Sequence, residues 1–192
     1  MSDLYTLDFS RISHADFARV GGKCASLGEM TQAGVAVPPG FAVTTDAYQA
    51  MLDHHGMRAE IERHLAGVDP FDIDQVDRAA QAIRIRIRSH KLPAEVEAAI
   101  RTAYAKMGDN MPVAVRSSAT AEDLPDASFA GQQDTYLWVR GADQVVEKVR
   151  DCWASLYTTR AVAYREKNRI PHAEVLMSVG VQKMVNARAA GV

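Results

Sequence analysis

Residues 115–135 contain the combination of side chains best suited to chemistry in this sequence. An apolar stretch, residues 112–115, leads directly into Arg116, Ser117 and the serine after it, and then into small residues that end around Gly131. Small side chains let backbone N–H groups approach a phosphate closely, and a guanidinium stays charged and offers a planar set of donors. The pattern predicts a strand that delivers an anion-binding arginine to a loop. A surface turn with a solvated arginine is the alternative.

A second anion signal lies near the N-terminus, in Gly21-Gly22-Lys23. A Walker A loop needs a glycine five residues before the Gly-Lys pair, but Phe17 stands there, and Cys24 replaces the Ser or Thr that holds magnesium. The remaining parts, a helix N-terminus and an ammonium, still suit a phosphate; a glycine turn with a surface lysine is the alternative. Cys24 itself is either a reactive thiolate or, as we favour, a buried small residue.

Other polar residues give weaker signals. A side-chain amide at Gln182, on a predicted strand, could contact an adenine edge or a ribose, or could be a half-exposed strand residue. The acidic residues Glu122, Asp123 and Asp126 could bind magnesium, but solvated loop charges are favoured. The six histidines have no zinc spacing and no adjacent nucleophile, so we expect structural or exposed roles for them: His14, His54, His55, His64, His90 and His172.

The bulk properties describe an ordinary globular chain. Its 192 residues suffice for one sizeable core, and its net charge of −2 gives no basic field for nucleic acid or a membrane surface. Two distant cysteines, Cys24 and Cys152, suggest a reducing compartment and therefore the cytoplasm. We see no signal peptide and no membrane-length apolar segment. The chain stops just after a strand-like alternation, so we expect a fragment of a longer protein.

Helical and strand patterns are intermixed along the chain, which predicts an α/β or α+β fold. Residues 81–88 fit either pattern, because three isoleucines alternate with three arginines while the apolar residues also keep helical spacing. Alanine-rich flanks and a capping aspartate favour the helix. The arginines are interpreted as a solvated helix face rather than a nucleic-acid patch, because no aromatic residues are interleaved. Trp138 and Trp153 are expected in the core.

The predicted elements, in chain order, begin with a helix opened by the glycine pair and ended by Gly34. The other predicted helices lie around 47–52, within 54–69, from 72 or 74 onward, from 93 to 108, from about 141 to 156 and from 159 to 167. The predicted strands lie at 41–44, 112–115, 135–139 and 179–185.

Five sequence blocks together resemble the N-terminal nucleotide-binding domain of the phosphoenolpyruvate synthase family. They are Val20-Gly21-Gly22-Lys23 with Ala25-Ser26-Leu27-Gly28-Glu29-Met30, Val37-Pro38-Pro39-Gly40-Phe41 with Thr44-Thr45 and Ala47-Tyr48, residues 115–135, Ala154-Ser155-Leu156-Tyr157 with Arg160-Ala161 and Tyr164-Arg165, and Val181-Gln182 with Met184-Val185. They occur in family order and cover nearly the whole chain. The same domain occurs in pyruvate phosphate dikinases, rifamycin phosphotransferases and phenylphosphate synthases.

The resemblance implies that residues 1–192 are the first lobe of an ATP-grasp nucleotide-binding domain, a mixed sheet with surrounding helices. It implies that Lys23, Arg116 and Ser117 contact the ATP phosphates, and that Lys23 and Arg116 are the catalytic residues. It also implies that Gly131 and Thr135 belong to the loop over the phosphates, and that Gln182 lies at the adenine end of the site.

In the family, ATP phosphorylates a histidine on another domain, and the phosphoryl group then passes to pyruvate. The Mg²⁺ ligands and this histidine are expected beyond Val192, on further domains of the same enzyme or on a partner subunit. A related enzyme with another acceptor and a non-catalytic nucleotide module are the alternatives. The fragment alone is expected to be inactive.

Overall fold

The computed structural model describes residues 2–119 and 134–187. Eight α-helices and five β-strands are found in these residues, joined by short 3₁₀ turns. The helices are α1 (Ser2–Tyr5), α2 (Phe17–Gln32), α3 (Thr45–Asp53), α4 (Met57–Leu65), α5 (Ile73–Ser89), α6 (Ala94–Lys106), α7 (Ala142–Ser155) and α8 (Thr159–Lys167). The strands are β1 (Thr6–Asp8), β2 (Gly40–Val43), β3 (Val113–Ala119), β4 (Thr135–Val139) and β5 (Met177–Lys183).

The five strands form one sheet in the order β1-β2-β5-β3-β4. Every pairing among the described strands is antiparallel. The last strand in the sequence, β5, therefore lies in the centre of the sheet, between β2 and β3. The predicted α/β fold with surrounding helices is confirmed, with the refinement that strand direction in the described sheet is antiparallel rather than mixed.

The sheet separates two apolar clusters because successive side chains of a strand point to opposite faces. On one face, Phe41, Val115 and Val179 belong to the large core that helices α3 to α8 build. On the other face, a smaller cluster contains Ala42 from β2 and Cys24 from α2. Helix α2 is thus the element that covers the second face, and the candidate site lies beneath it.

Helix α5 resolves the ambiguous arginine-isoleucine segment. Asp72 caps the helix by accepting a hydrogen bond from the N–H of Gln75 at 3.0 Å, as an N-cap aspartate should. Ile83 and Ile87 are completely buried, whereas Ile85 is exposed. Burial thus follows the helical spacing, and the prediction of a helix is confirmed.

Two expectations from the sequence are wrong in detail. Strand β3 does not end at residue 115 but continues through Arg116, Ser117 and Ser118, because β5 pairs with it along its whole length. Trp138 is not in the core: it is 50% exposed, with a φ of +59°, on the edge strand β4. Trp153 is completely buried, as predicted. No helix within the described residues has the length and apolarity needed to cross a membrane.

Candidate functional site

Arg116 lies in the middle of three neighbouring strands. It is paired with Thr135 of β4 on one side and with Gly180 of β5 on the other. Directly opposed residues of antiparallel strands present their side chains on the same face. Arg116 and Thr135 therefore share the face of the sheet that α2 covers. Gly180 of β5 lies beside Arg116 on the same face and has no side chain.

Helix α2 is interrupted at Gly21, whose φ of 69° and ψ of 168° are not helical. The regular helix starts again at Gly22, which places Lys23 in its first turn. A β-carbon on residue 21 would lie 2.3 Å from the carbonyl oxygen of Ser118, so only glycine fits this close approach of helix to strand. The prediction that the glycine pair opens a helix is confirmed for this second segment.

A buried polar junction holds the helix start against β3. The hydroxyl of Ser118 donates to the carbonyl oxygen of Val20 at 2.9 Å and accepts from the N–H of Cys24 at 3.3 Å. These bonds satisfy groups that the interruption of the helix leaves without helical partners. One consequence is that the N–H of Cys24 is engaged by protein and does not remain bare for a ligand.

Gly180 brings Cys24 and Arg116 to the same spot on the sheet. A β-carbon on Gly180 would lie 3.1 Å from Sγ of Cys24 and 3.6 Å from Cγ of Arg116. A glycine inside a strand often marks such a close approach. Val179-Gly180-Val181 carries this signal in the sequence, but Gly180 was not among the predicted site residues, whereas Ser118 belonged to the predicted anion-binding run after Arg116.

The pKa of the Cys24 thiol depends on its burial and on the charged side chains around it. Burial raises its pKa to about 11, and hydrogen bonds from Ser118 and Ser178 and the positive charges of Arg116 and Lys23 oppose that rise. Both predicted phosphate-binding cations therefore lie close enough to act on one buried sulfur atom. Cys24 is 1% exposed, so the interpretation of Cys24 as a buried small residue is confirmed, and the raised pKa agrees with a neutral thiol.

The guanidinium of Arg116 is only partly satisfied. Its Nε is buried and has no hydrogen-bond partner within residues 2–119 and 134–187, and no ion pair to Arg116 is found among those residues. An unsatisfied buried donor is costly, about 1–3 kcal/mol. A partly buried cation with a free donor beside a helix start is the feature that an incoming anion would complete.

The other residues predicted to contact ATP do not all lie on the face of the sheet that carries Arg116. Ser117 is buried and, by strand alternation, lies on the opposite face from Arg116. Gln182 lies on the same face as Gly180, two residues further along β5, and its Nε2 donates to the carbonyl oxygen of Pro38 at 3.2 Å. Gly131 lies outside the described residues. The ligand roles of all these residues stay predictions.

Metal-binding potential is limited in the described part of the chain, where no group of three or more His, Cys, Asp or Glu side chains is arranged to hold an ion. The acidic residues considered for magnesium, Glu122, Asp123 and Asp126, lie outside that part. The expectation that the Mg²⁺ ligands follow Val192 stays a prediction.

Comparison with known proteins defines the class of protein. The sequence pattern of the family described as "Pyruvate phosphate dikinase, AMP/ATP-binding domain" matches residues 17–192. The match begins at the first residue of α2 and includes every element that surrounds Arg116. The chain belongs to this family of nucleotide-binding domains.

Individual relatives carry a more specific name. A probable phosphoenolpyruvate synthase of Staphylothermus marinus is 50% identical over 188 residues, which cover 94% of this chain and 22% of the relative. One of Methanocaldococcus jannaschii is 48% identical over 94% of this chain and 16% of the relative. The phosphoenolpyruvate synthase of Neisseria meningitidis serogroup B is 46% identical over 97% of this chain and 25% of the relative. The chain thus spans about a quarter or less of these proteins, and the resemblance noted in the sequence is confirmed.

Proposed function

We propose that this chain supplies part of the ATP-binding site of a phosphoenolpyruvate synthase-like phosphotransferase. In this proposal the longer enzyme converts ATP, pyruvate and water into AMP, phosphoenolpyruvate and phosphate. The phosphoryl group passes through a histidine on a domain outside this chain and then to pyruvate. The relatives that bear the name phosphoenolpyruvate synthase support this assignment.

One observation of the structure carries the proposal: the buried Nε of Arg116, which has no partner among the described residues, beside the helix start that presents Lys23. Phosphoryl transfer requires alignment and stabilisation of negative charge more than covalent assistance from the protein. Arg116 would bind a phosphate oxygen through a charge-assisted bond, which contributes on the order of 1.5–3 kcal/mol. Lys23 would add a second positive charge close to it.

The other proposed contacts follow from position. Thr135, opposite Arg116 on β4, would contact the phosphates, and Gly131, which lies outside the described residues, stays a predicted contact from the family resemblance. Ser117 stays a weaker candidate, because its side chain lies on the other face and its N–H donates to the carbonyl oxygen of Asp134 at 3.4 Å. Gln182 is further along the same face and would lie at the adenine end. We propose that Mg²⁺ is held by residues outside this chain. A cytoplasmic location agrees with two cysteines that are both buried and unpaired.

The test is the nucleotide product of the longer protein that contains this chain. Incubation with ATP, Mg²⁺ and pyruvate should yield AMP, phosphoenolpyruvate and phosphate in equal amounts, measured by ion-exchange chromatography. ADP as the nucleotide product would contradict the proposed reaction. AMP formation only when a phenol or a rifamycin replaces pyruvate would identify another acceptor. Nucleotide binding with no turnover on any acceptor would indicate a non-catalytic nucleotide-binding protein.

A further inference from the structure

Three histidines meet where the chain leaves α3 and where it leaves α5. Nδ1 of His54 lies 3.1 Å from Nε2 of His90. The ring centroid of His55 is 3.9 Å from that of His54 and 6.3 Å from that of His90. We propose that His54 and His90 form a two-nitrogen binding site for a divalent transition-metal ion of the Zn²⁺ or Ni²⁺ type.

The separation of the two nitrogens fits a shared metal ion. With metal–nitrogen bonds of about 2.05 Å, a 3.1 Å separation corresponds to a nitrogen–metal–nitrogen angle of about 98°, between the octahedral and tetrahedral values. The two nitrogens now share a hydrogen bond along the line that joins them, so both rings have to rotate before their lone pairs aim at one ion, and the broad χ2 torsion of histidine allows such rotation.

The two neutral imidazoles can bind a metal ion without losing a proton. A neutral imidazole carries one N–H, and either ring nitrogen can hold it. The proton now shared between Nδ1 of His54 and Nε2 of His90 moves to the other nitrogen of its own ring through solvent, and both facing nitrogens then have free lone pairs. No net proton is released from two neutral rings, and no other reactant is needed.

The backbone at one of the two proposed ligands is anchored by a side chain of α7. The carbonyl oxygen of His90 accepts a hydrogen bond from Nη1 of Arg150 at 2.9 Å, which fixes the backbone there.

The backbone beside His54 is strained in a way that supports this site. His55 has a φ of +50° and Gly56 a φ of +71°, so two consecutive residues adopt the left-handed conformation. For a residue other than glycine this conformation costs roughly 1–2 kcal/mol. In this conformation the ring of His55 lies against that of His54, with 3.9 Å between the centroids and 58° between the ring planes.

The number and type of ligands decide the class of ion. The site provides two protein nitrogens, in agreement with the absence of any three-residue metal cluster in residues 2–119 and 134–187, and water completes the coordination. Imidazole suits Zn²⁺, Ni²⁺ and Cu²⁺, whereas Mg²⁺ prefers oxygen ligands. The proposed site is therefore independent of the Mg²⁺ that accompanies ATP.

A zinc titration of the chain at pH 7.5 tests the proposal. Calorimetry should give one ion per chain, and long-range ¹H–¹⁵N spectra of the imidazoles should show shifts at His54 and His90. His54→Ala should weaken Zn²⁺ binding at least tenfold. His14→Ala is the matched control: His14 lies 3.1 Å from a carboxylate oxygen of Glu29 in an exposed pair that could also attract the ion, and its loss should leave the affinity unchanged.

Three results would overturn the proposal. Equal zinc affinity of the wild-type and His54→Ala chains would exclude His54 as a ligand. Imidazole shifts confined to other histidines would show an adventitious surface ion. Mg²⁺ producing the same shifts as Zn²⁺ would contradict nitrogen coordination. If His54→Ala fails to fold, as circular dichroism would reveal, the imidazole spectra of the unaltered chain still decide the question.

Discussion

Replacing Arg116 by alanine should weaken ATP binding and leave the stability of the fold nearly unchanged. Truncation removes two methylene groups, of which Cγ lies beside Gly180, a loss of at most about 1.6 kcal/mol at about 0.8 kcal/mol per group. It also removes the buried Nε that has no partner among the described residues, a relief of about 1–3 kcal/mol. The two effects oppose each other, so the free energy of unfolding should change by no more than about 1.5 kcal/mol. Loss of a charge-assisted bond of about 1.5–3 kcal/mol predicts an ATP affinity lower by about ten- to 150-fold.

The two quantities need separate assays and one matched control. Urea unfolding of the chain measures stability, and calorimetric titration of the longer protein with ATP measures affinity. Arg84→Ala is the control, because Nε of Arg84 is also buried with no hydrogen-bond partner among the described residues, but it lies on α5 in the larger helical layer. It should match Arg116→Ala in stability and keep normal ATP affinity. The reasoning is refuted if Arg116→Ala binds ATP normally, or if both variants lose affinity equally.

Three further predictions concern the helix start above Arg116. Gly21→Ala should lower the free energy of unfolding by at least about 2 kcal/mol, because the new β-carbon would lie 2.3 Å from the Ser118 carbonyl oxygen. Gly34 is the control, because its φ is similar but the space around it is open, and Gly34→Ala should lower the free energy of unfolding by only about 1 kcal/mol in the same urea experiment. Lys23→Ala should weaken ATP binding by calorimetry with little effect on unfolding, and unchanged affinity would make it an ordinary surface lysine. Burial raises the pKa of Cys24 from 9.0 to about 11, so the neutral thiol stabilises the fold fully below pH 9, and that contribution should disappear as the pH rises from 9 to 11. The free energies of unfolding of the chain and of Cys24→Ala should therefore change in parallel below pH 9 and diverge between pH 9 and pH 11. Curves that stay parallel from pH 9 to pH 11 would contradict the raised pKa.

The secondary structure was largely predictable because its signals are local. The observed α8 (Thr159–Lys167) and β4 (Thr135–Val139) coincide with the predicted bounds, since capping residues and apolar periodicity act over a few positions. The end of β3 was mispredicted, because a polar run such as Arg116-Ser117-Ser118 becomes strand only through pairing with β5. The exposure of Trp138 was mispredicted for a related reason: its place on an edge strand depends on the order of strands in the sheet.

By itself, the sequence determined the fold class, the family resemblance and the two cations that the proposed function requires. Only the tertiary structure decided which side chains share a face: Arg116 and Ser118 turn toward α2, and Ser117 turns away. It also showed why glycine is needed at residue 21, and that a side chain at residue 180 would crowd Cys24, because helix and sheet approach closely at both positions. The physical reason is distance along the chain. The Ser118–Val20 hydrogen bond joins residues 98 positions apart, and no local periodicity or propensity specifies a contact of that kind.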